Sequence, residues 1–347
     1  MQRSNSRLTN IGFQVLAILL ALAFTTLVLV STGAPPFEAY KNILRGSVGS
    51  INNISDVLVA WVPLVLSTTG LLVTFSAGLW NIGIEGQITL GAIFSTGLIR
   101  MLMHTGMPPA LILVLSIPAG MLGGALWALI VGALKTYGGV NEIFGGLGMN
   151  FVATALTIWL IFGPWKRPGI GSMSGTEPFP DSLWLPQVGN LRLSLWAVLI
   201  AIVALVIIYF LLKGTYFGLR LKAVGKNLRA SFTLGISTSR YMISAFLICG
   251  ALAGLAGTIQ VIAVYHRLIP SISSGYGYLG LMVAMLINYQ ALWVIPVALF
   301  FAALNIGSIQ LPIVLKLDSS LSGVLQGSLV LAVIIMDGVR QRWLRKT

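Results

Sequence analysis

The chain has 347 residues, of which 57% are hydrophobic and 8% are charged, and its mean hydropathy is +0.94. Soluble globular proteins carry roughly 25% charged residues, so this composition excludes an ordinary water-soluble domain. The net charge of +13 is better explained by a membrane protein than by nucleic-acid binding, because membrane proteins concentrate Lys and Arg at their cytoplasmic face. The single cysteine, Cys249, excludes an intrachain disulfide.

Long uncharged segments recur along the chain and predict an all-α integral membrane protein. A membrane-spanning helix needs about 20 mostly apolar residues, and lipid does not tolerate unpaired backbone groups. The first segment is longer than the roughly 7–15 apolar residues of a signal peptide, so we expect it to remain as an uncleaved span. We predict about ten spans, over residues 11–31, 56–79, 82–103, 109–133, 142–163, 193–212, 241–263, 277–289, 291–308 and 322–338.

The distribution of Lys and Arg predicts the orientation of these spans. Most of the bases fall on one side of the membrane if both termini are cytoplasmic, as the positive-inside rule requires. We therefore expect one transmembrane domain over residues 1–347, with extracytoplasmic loops at 32–55 and 164–192. The stretch PPFEAYKNILRG in the first loop predicts a short amphipathic helix.

A long cytoplasmic segment, residues 213–240, contains six bases and no acid but keeps many apolar side chains. A disordered loop would not need those apolar side chains. Asn227 is a favourable N-cap and Gly235 a favourable stop, so we predict a two-turn helix between them. Leu228 and Phe232 would share one face of this helix, which is expected to dock on a partner.

Sequence signatures of nucleotide-binding and metal-binding enzymes do not fit this chain. Gly225 and Lys226 lack the upstream glycine of a P-loop, so the chain itself is not expected to bind ATP. GYGYLG at 275–280 follows a loop and opens an apolar span, which indicates entry to a broken helix rather than a dinucleotide site. His104 and His266 lack the spacing of a metal site.

Polar residues interrupt the apolar segments at two places, and these residues are candidates for the substrate pathway. They are Asn81, Glu85 and Gln87 within GLWNIGIEGQITLG, and Asn141, Glu142 and Asn150 at the start of the fifth span. Carboxylates within a membrane usually face a bundle interior or a water-filled cavity. The alternative is that Glu85 and Glu142 lie at the membrane interface and cap helix ends.

Small residues at four-residue spacing predict close contacts between helices. Gly120 and Gly124 form one such pair, and Gly250 and Gly254 form another. Glycines at this spacing let two helices approach closely in a membrane. We expect both pairs to pack the bundle rather than to bind a ligand.

Three ordered stretches resemble the permease subunits of bacterial ATP-binding-cassette importers that serve branched-chain amino acids, ribose-like sugars and nucleosides. They are NIGIEGQITLGA, GVNEI followed by Asn150, and GTYFGLRLKAVGKNLRASFTLGI leading into GALAGLAG, and the resemblance covers roughly residues 55–335. The pair Asn141 and Glu142, the nearby Asn150 and GPWKRPG at 163–169 are most similar to the nucleoside-type members. FGGLGMN after Ile143 departs from the Thr-containing run of that type, so simple sugars are the nearest alternative.

The resemblance implies a non-catalytic subunit in a bacterial inner membrane that works by alternating access. Separate ATPase subunits would hold ATP and Mg²⁺, a second permease subunit would complete the pathway, and an extracytoplasmic binding protein would deliver the solute. The 213–240 segment would couple to the ATPase, with contact to anionic lipid as the alternative. The coupling residues implied are Gly218, Arg220, Gly225, Asn227, Leu228, Arg229, Phe232 and Gly235.

The weakly charged interior fits a neutral, hydroxyl-rich solute bound by hydrogen bonds. The candidate donors and acceptors are Asn81, Gln87, Asn141 and Asn150. A nucleoside is favoured, and a simple sugar or a branched-chain amino acid is the alternative within the family. In the main alternative from another class, an ion-coupled secondary transporter, Glu85 and Glu142 would bind the coupling ion.

Overall fold

The structure is a computed structural model that describes residues 19–20, 22–31, 33–169, 175–287 and 289–316, with scattered positions between 321 and 339. Helices are the only regular secondary structure in these residues, as the sequence predicted. The predicted first and last spans lie mostly outside the described residues. The chain forms two compact units, Met1–Val57 with Leu299–Thr347, and Leu58–Ala298.

The smaller unit contains α1 (Leu22–Ser31), α2 (Pro36–Val48) and α13 (Gln310–Leu315). Proline at the first position of α2 suits a helix start, because its missing N–H would have no partner there. This helix confirms the short helix predicted in the 32–55 loop. Leu29, Ile43 and Leu311 belong to the apolar core of the unit.

The larger unit holds most of α3 and the helices that build the candidate site. The helices from α3 onward are α3 (Ile51–Ser76), α4 (Ile84–Leu102), α5 (Pro109–Thr136), α6 (Glu142–Phe162), α7 (Leu195–Gly214), α8 (Tyr216–Lys226), α9 (Leu228–Thr233), α10 (Thr238–Ile259), α11 (Tyr276–Leu286) and α12 (Val294–Ser308). A π-helical stretch, Gln260–Tyr265, extends α10.

Six of the described helices are long and apolar enough to cross a membrane. They are Ile51–Ser76, Pro109–Thr136, Glu142–Phe162, Leu195–Gly214, Thr238–Tyr265 and Ala291–Leu315. The third predicted span is α4, which has 19 residues. The eighth predicted span forms only the 11-residue α11, which at 1.5 Å per residue covers about half of a bilayer core. The number of ten crossings and their orientation stay predictions.

Close packing of glycines defines the centre of the larger unit, where α4, α5 and α10 meet. Gly91 of α4 lies against Gly254 of α10, and Gly124 of α5 lies against both Gly250 and Gly254. A Cβ atom on Gly254 would overlap the carbonyl oxygen of Gly120. The packing role predicted for the two glycine pairs is therefore confirmed.

The chain between α10 and α11 is not α-helical. The π-helical stretch ends at Tyr265, and His266 adopts a left-handed conformation with φ of 54°. Residues 266–275 then contain no helix, and α11 starts directly after Gly275. This arrangement confirms the broken helix predicted from GYGYLG.

The segment 175–194 packs against the chain at the C-terminal end of α10. The backbone N–H of Phe179 donates to the carbonyl oxygen of His266 at 2.8 Å, and that of Leu185 donates to Ile262 at 2.9 Å. The ring of Trp184 stacks on the imidazole of His266, with centroids 3.8 Å apart. Two of these three contacts involve His266, so the loop packs against a titratable residue.

Acidification is expected to weaken this contact. Burial lowers the pKa of His266, and the nearby Arg192 also lowers it, while the Ile262 carbonyl and Asp181 act in the opposite sense. The folded chain favours the neutral form of His266. The contribution of this preference to stability is therefore complete above the ordinary histidine pKa of about 6.5, and it is lost as the pH falls below that value. The apparent melting temperature should therefore fall between about pH 7.5 and about pH 5.5. The variant His266→Phe keeps a stacking ring but has no titratable group, so its melting temperature should fall less over the same pH range. An equal fall in the variant and the unmodified protein would contradict this expectation.

Candidate functional site: a buried polar cluster beside an exposed helical segment

A turn between α3 and α4 carries the first member of a buried polar cluster. α3 ends at Ser76 and α4 begins at Ile84. Gly78 in the turn has φ of 72°, a conformation that glycine adopts readily and other residues disfavour. The turn directs the chain so that Asn81 is completely buried.

Asn81 and Gln87 form a reciprocal amide pair that joins this turn to α4. Asn81 Nδ2 donates to Gln87 Oε1 and Gln87 Nε2 donates to Asn81 Oδ1, both at 2.9 Å. Asn81 Nδ2 also donates to the Cys249 Sγ of α10 at 3.1 Å. Buried amide groups need such partners, because the free energy lost when an amide leaves water is not compensated unless the amide forms hydrogen bonds inside the protein. The pair therefore holds the turn, α4 and α10 together.

Glu85 connects α4 to the start of α11. Its Oε1 accepts the backbone N–H of Tyr278 at 2.9 Å, and its carboxylate lies against Gly277. The first N–H groups of a helix have no partner within the helix and attract negative charge. Because α11 follows the non-helical residues 266–275, Glu85 occupies the kind of discontinuous helix end at which transporters bind solutes and ions.

Asn150 joins α6 to the same place. Its Oδ1 accepts the backbone N–H of Gly86 at 2.8 Å, and its Nδ2 donates to the carbonyl oxygen of Ile82 at 3.0 Å and to the Tyr278 hydroxyl at 3.2 Å. Gly146 of α6 lies directly against the backbone of Gly83, which brings the two segments close enough for these bonds. The structure thus brings together Asn81, Glu85, Gln87 and Asn150.

Asn141 and Glu142 lie at the beginning of α6 and not among those four residues. Asn141 is exposed, and its Oδ1 accepts the N–H of Ile143 at 2.8 Å as the helix N-cap. Glu142 Oε2 forms an ion pair with Lys135 Nζ at 2.6 Å, and its Oε1 accepts the N–H of Trp80 at 3.5 Å. Glu142 therefore ties the α5–α6 turn to the α3–α4 turn.

Three contributors to this region carry no sequence signal of their role. Tyr278 lies in GYGYLG, where only the glycines indicated a break, and Cys249 resembles an ordinary small packing residue. Lys135 contributes to the charge count alone. Each of them contacts residues far away in the sequence, so its role depends on the packing of the helices.

The helix predicted at the centre of the 213–240 segment is present as α9. Asn227 Oδ1 accepts the N–H of Ala230 at 3.0 Å, which confirms the predicted N-cap. Gly235 follows the helix with φ of 78°, as expected of a C-terminal stop. Leu228 is 48% exposed and Phe232 is 72% exposed, and Arg229 is exposed beside them.

A second helix, α8, precedes α9 and was not predicted. Thr215 Oγ1 accepts the N–H of Gly218 at 3.1 Å and caps this helix. Gly218 is buried against the carbonyl groups at the end of α7. Arg220 is exposed, and its Nη1 donates to the hydroxyl of Tyr241 at 3.4 Å.

The end of α8 touches the turn that carries the polar cluster. A Cβ atom on Gly225 would overlap the Ser76 carbonyl oxygen and would lie 2.9 Å from the backbone nitrogen of Gly78. The two backbones are therefore in direct contact. Since Gly78 is three residues before Asn81, this contact links the exposed segment to the buried cluster over a short length of chain.

Known proteins are similar to this chain over most of its length. Residues 53–334 match the protein family described as branched-chain amino acid transport system, permease component. The chain is 31% identical to the glucose ABC transporter permease protein TsgB13 of Haloferax volcanii over 336 residues, covering 94% of this chain and 87% of that protein. It is 27% identical to the guanosine ABC transporter permease protein NupP of Bacillus subtilis over 333 residues, covering 95% and 93%. NupQ, a second guanosine ABC transporter permease protein of that organism, is 27% identical over 253 residues, covering 72% and 79%.

Proposed function

The chain belongs to the family of branched-chain amino acid transport system permease components, and we propose that it carries a nucleoside through the membrane as part of an ATP-driven importer. As a permease subunit it is not an enzyme, and separate ATPase subunits hold ATP and Mg²⁺ in this proposal. The observation that carries the proposal is the contact between Gly225 and Gly78. It joins a surface suited to a soluble partner to polar groups inside a membrane bundle.

A neutral, hydroxyl-rich solute fits the chemistry of the cluster. Among its members Glu85 is the one acid, and its carboxylate already accepts a backbone N–H. Glu142 outside the cluster is balanced by Lys135. Amides and hydroxyls at this depth favour hydrogen bonds to sugar hydroxyls. The glucose and guanosine names of the relatives are both compatible with this chemistry.

A nucleoside is preferred over glucose because aromatic rings accompany the amides. Trp127 Nε1 lies close to Gly86, and the Tyr278 hydroxyl accepts from Asn150. Aromatic side chains offer flat surfaces together with a polar tip, which suits a base attached to a ribose. In this proposal Glu85, Asn150 and Tyr278 border the pathway, while Asn81 and Gln87 hold its framework.

The solute assignment is tested by uptake into proteoliposomes that contain the complete transporter. We expect guanosine uptake to be inhibited by unlabelled nucleosides and left unchanged by glucose or leucine. Asn150→Ala should weaken uptake while the exposed N-cap variant Asn141→Ser, which retains a capping side chain, should not. Uptake of glucose in preference to guanosine would assign the pathway to sugars, and unchanged uptake by Asn150→Ala would make that residue structural.

The partners follow from the same proposal. The ATPase docks on α9, a second permease subunit completes the pathway, and an extracytoplasmic binding protein delivers the solute in a bacterial inner membrane. Two guanosine permease proteins of one organism resemble this chain, which supports a pair of homologous permeases. ATP-driven approach of the two ATPase subunits would move α8 and α9, and the Gly225 contact would transmit that motion to the pathway in an alternating-access cycle. In this proposal both termini are cytoplasmic.

Removing the aromatic side chain of Phe232 is expected to detach the ATPase. This ring is 72% exposed on α9, and truncation of a large buried interface anchor typically costs about 2 kcal/mol or more of binding free energy. Phe232→Ser should therefore co-purify with at least about tenfold less ATPase. Phe37→Ser removes a ring that is 80% exposed on α2 and serves as the matched control. Equal ATPase recovery for both variants would argue against docking on α9.

A further inference from the structure

A pocket of about 420 Å³ lies where the 213–240 segment joins α10. Its lining comes from α8, from the chain after α9 and from the first turns of α10. The residues that carry its chemistry are Phe217, Arg220, Ser237, Arg240 and Tyr241. None of its lining residues is acidic.

Two cationic side chains face this pocket without a balancing carboxylate. Arg220 and Arg240 both line it, and no ion pair joins either of them to an acidic side chain within the described part of the chain. The whole 213–240 segment lacks Asp and Glu. A guanidinium group presents several N–H donors in a planar fork that matches phosphate oxygens. The pocket therefore offers charge and geometry for an anion.

The pocket also has an organised aromatic wall. The rings of Phe217 and Tyr241 pack with their centroids 5.5 Å apart. The Tyr241 hydroxyl accepts a hydrogen bond from Arg220 Nη1 at 3.4 Å, which positions the guanidinium at the pocket edge. Ser237, directly before α10, adds a hydroxyl near the positive end of this long helix.

Its position indicates the source of the anion. α7 ends at Gly214 and α10 begins at Thr238, and both helices are long and apolar enough to cross a membrane. If these two helices cross a membrane, their ends and the pocket between them lie near the lipid headgroups, where aromatic and basic side chains are enriched. Leu228 and Phe232 of α9 do not line it.

We propose that the pocket formed by Phe217, Arg220, Ser237, Arg240 and Tyr241 binds a phosphate group, supplied by an anionic phospholipid of the surrounding leaflet. Occupation of the pocket links α8 to α10 through the lipid phosphate. The site is separate from the solute pathway and does not depend on which solute is carried.

The test counts the lipids retained by the full chain with its co-purifying subunits. The complex is washed in equal amounts of phosphatidylglycerol and phosphatidylcholine and analysed by native mass spectrometry. We expect phosphatidylglycerol to be preferred, and Arg220→Gln with Arg240→Gln to reduce that preference by about tenfold or more, given two lost cationic contacts. Lys213→Gln with Lys226→Gln removes the same charge from the same segment outside the pocket and should change the preference by less than about twofold.

Further arms of the test separate the alternatives. Arg220→Lys with Arg240→Lys keeps the charge without the planar fork and should retain part of the preference, and its elution profile tests whether the fold tolerates change at both positions. In one outcome, excess inorganic phosphate raises the melting temperature only when the pocket arginines are present, while the pocket variant retains lipid normally. That result would show that the pocket binds a phosphate group from solution rather than from a lipid. Equal lipid loss in both Gln variants, or no pocket-dependent response to either lipid or phosphate, would overturn the proposal. Loss of ATPase with neither phosphate response would assign the pocket to the subunit interface and overturn it as well.

Discussion

Gly254→Leu is expected to abolish recovery of the folded protein. A single Cβ atom at this position would already overlap the carbonyl oxygen of Gly120 and would lie 3.1 Å from the Cα of Gly124. Both neighbours are backbone atoms of α5, so no side-chain rotation relieves the overlap. Overpacking a core typically costs about 1–3 kcal/mol, and separating two backbones at the centre of the bundle should exceed that range. The measurement is the amount of monodisperse protein after gel filtration and its apparent melting temperature.

Gly148→Leu is the matched control for this substitution. Gly148 also lies within an apolar helix, α6, but an added Cβ atom there would have nothing within 4 Å. Replacing a helical glycine should itself stabilise the helix by up to about 1 kcal/mol. A Gly254→Leu protein that is as well folded as Gly148→Leu would contradict the packing described for α4, α5 and α10.

Gly225→Ala is expected to uncouple transport from ATP hydrolysis while the chain stays folded. Overpacking by one methyl group costs about 1–3 kcal/mol. Because this cost opposes the contact between α8 and the α3–α4 turn that transmits the motion, we expect uptake to fall by about tenfold, which corresponds to about 1.4 kcal/mol. The added methyl group would push α8 away from Ser76 and Gly78. The polar cluster and the exposed face of α9 are otherwise unchanged. ATP hydrolysis should therefore continue while solute uptake falls, which is the signature of lost coupling. The measurement is the ratio of uptake to ATP hydrolysis in proteoliposomes.

Gly214→Ala provides the comparison. Gly214 is the last residue of α7 and the second residue of the 213–240 segment, and a Cβ atom there would have nothing within 4 Å. Its ratio of uptake to ATP hydrolysis should match that of the unmodified chain. If both variants keep the normal ratio, the contact between α8 and the α3–α4 turn does not transmit motion.

Local patterns in the sequence predict much of the scaffold, because a long apolar segment in lipid has few structural options. The cap at Asn227 and the stop at Gly235 define α9 from neighbouring residues alone. The glycine spacing around Gly124 and Gly254 likewise predicts close helix contacts. In each of these cases the residues that give the signal lie within a few positions of each other in the sequence.

The site is less predictable because its members meet through contacts between distant helices. Asn81, Glu85 and Asn150 are recognisable as polar residues in apolar surroundings, but their partners depend on tertiary packing. Asn141 has the local signal of an N-cap, since it directly precedes an apolar segment and caps its own helix, but nothing local indicates that Asn150 bonds to Gly86 and Tyr278. The predicted eighth span, residues 277–289, agrees with α11 at its start and extends three residues past its end, because its boundaries were taken from the local apolar sequence.

Uptake into sealed vesicles shows whether ATP or an ion gradient drives transport by this chain. The complete transporter is supplied with the solute, with ATP or without it, and with ion gradients present or collapsed. We expect uptake to require ATP, to persist when the gradients are collapsed, and to depend on a soluble ATPase that co-purifies in fixed proportion. Uptake that continues without ATP and stops when the ion gradient is collapsed would exclude an ATP-driven importer and would make Glu85 the candidate ion-binding residue of a secondary transporter.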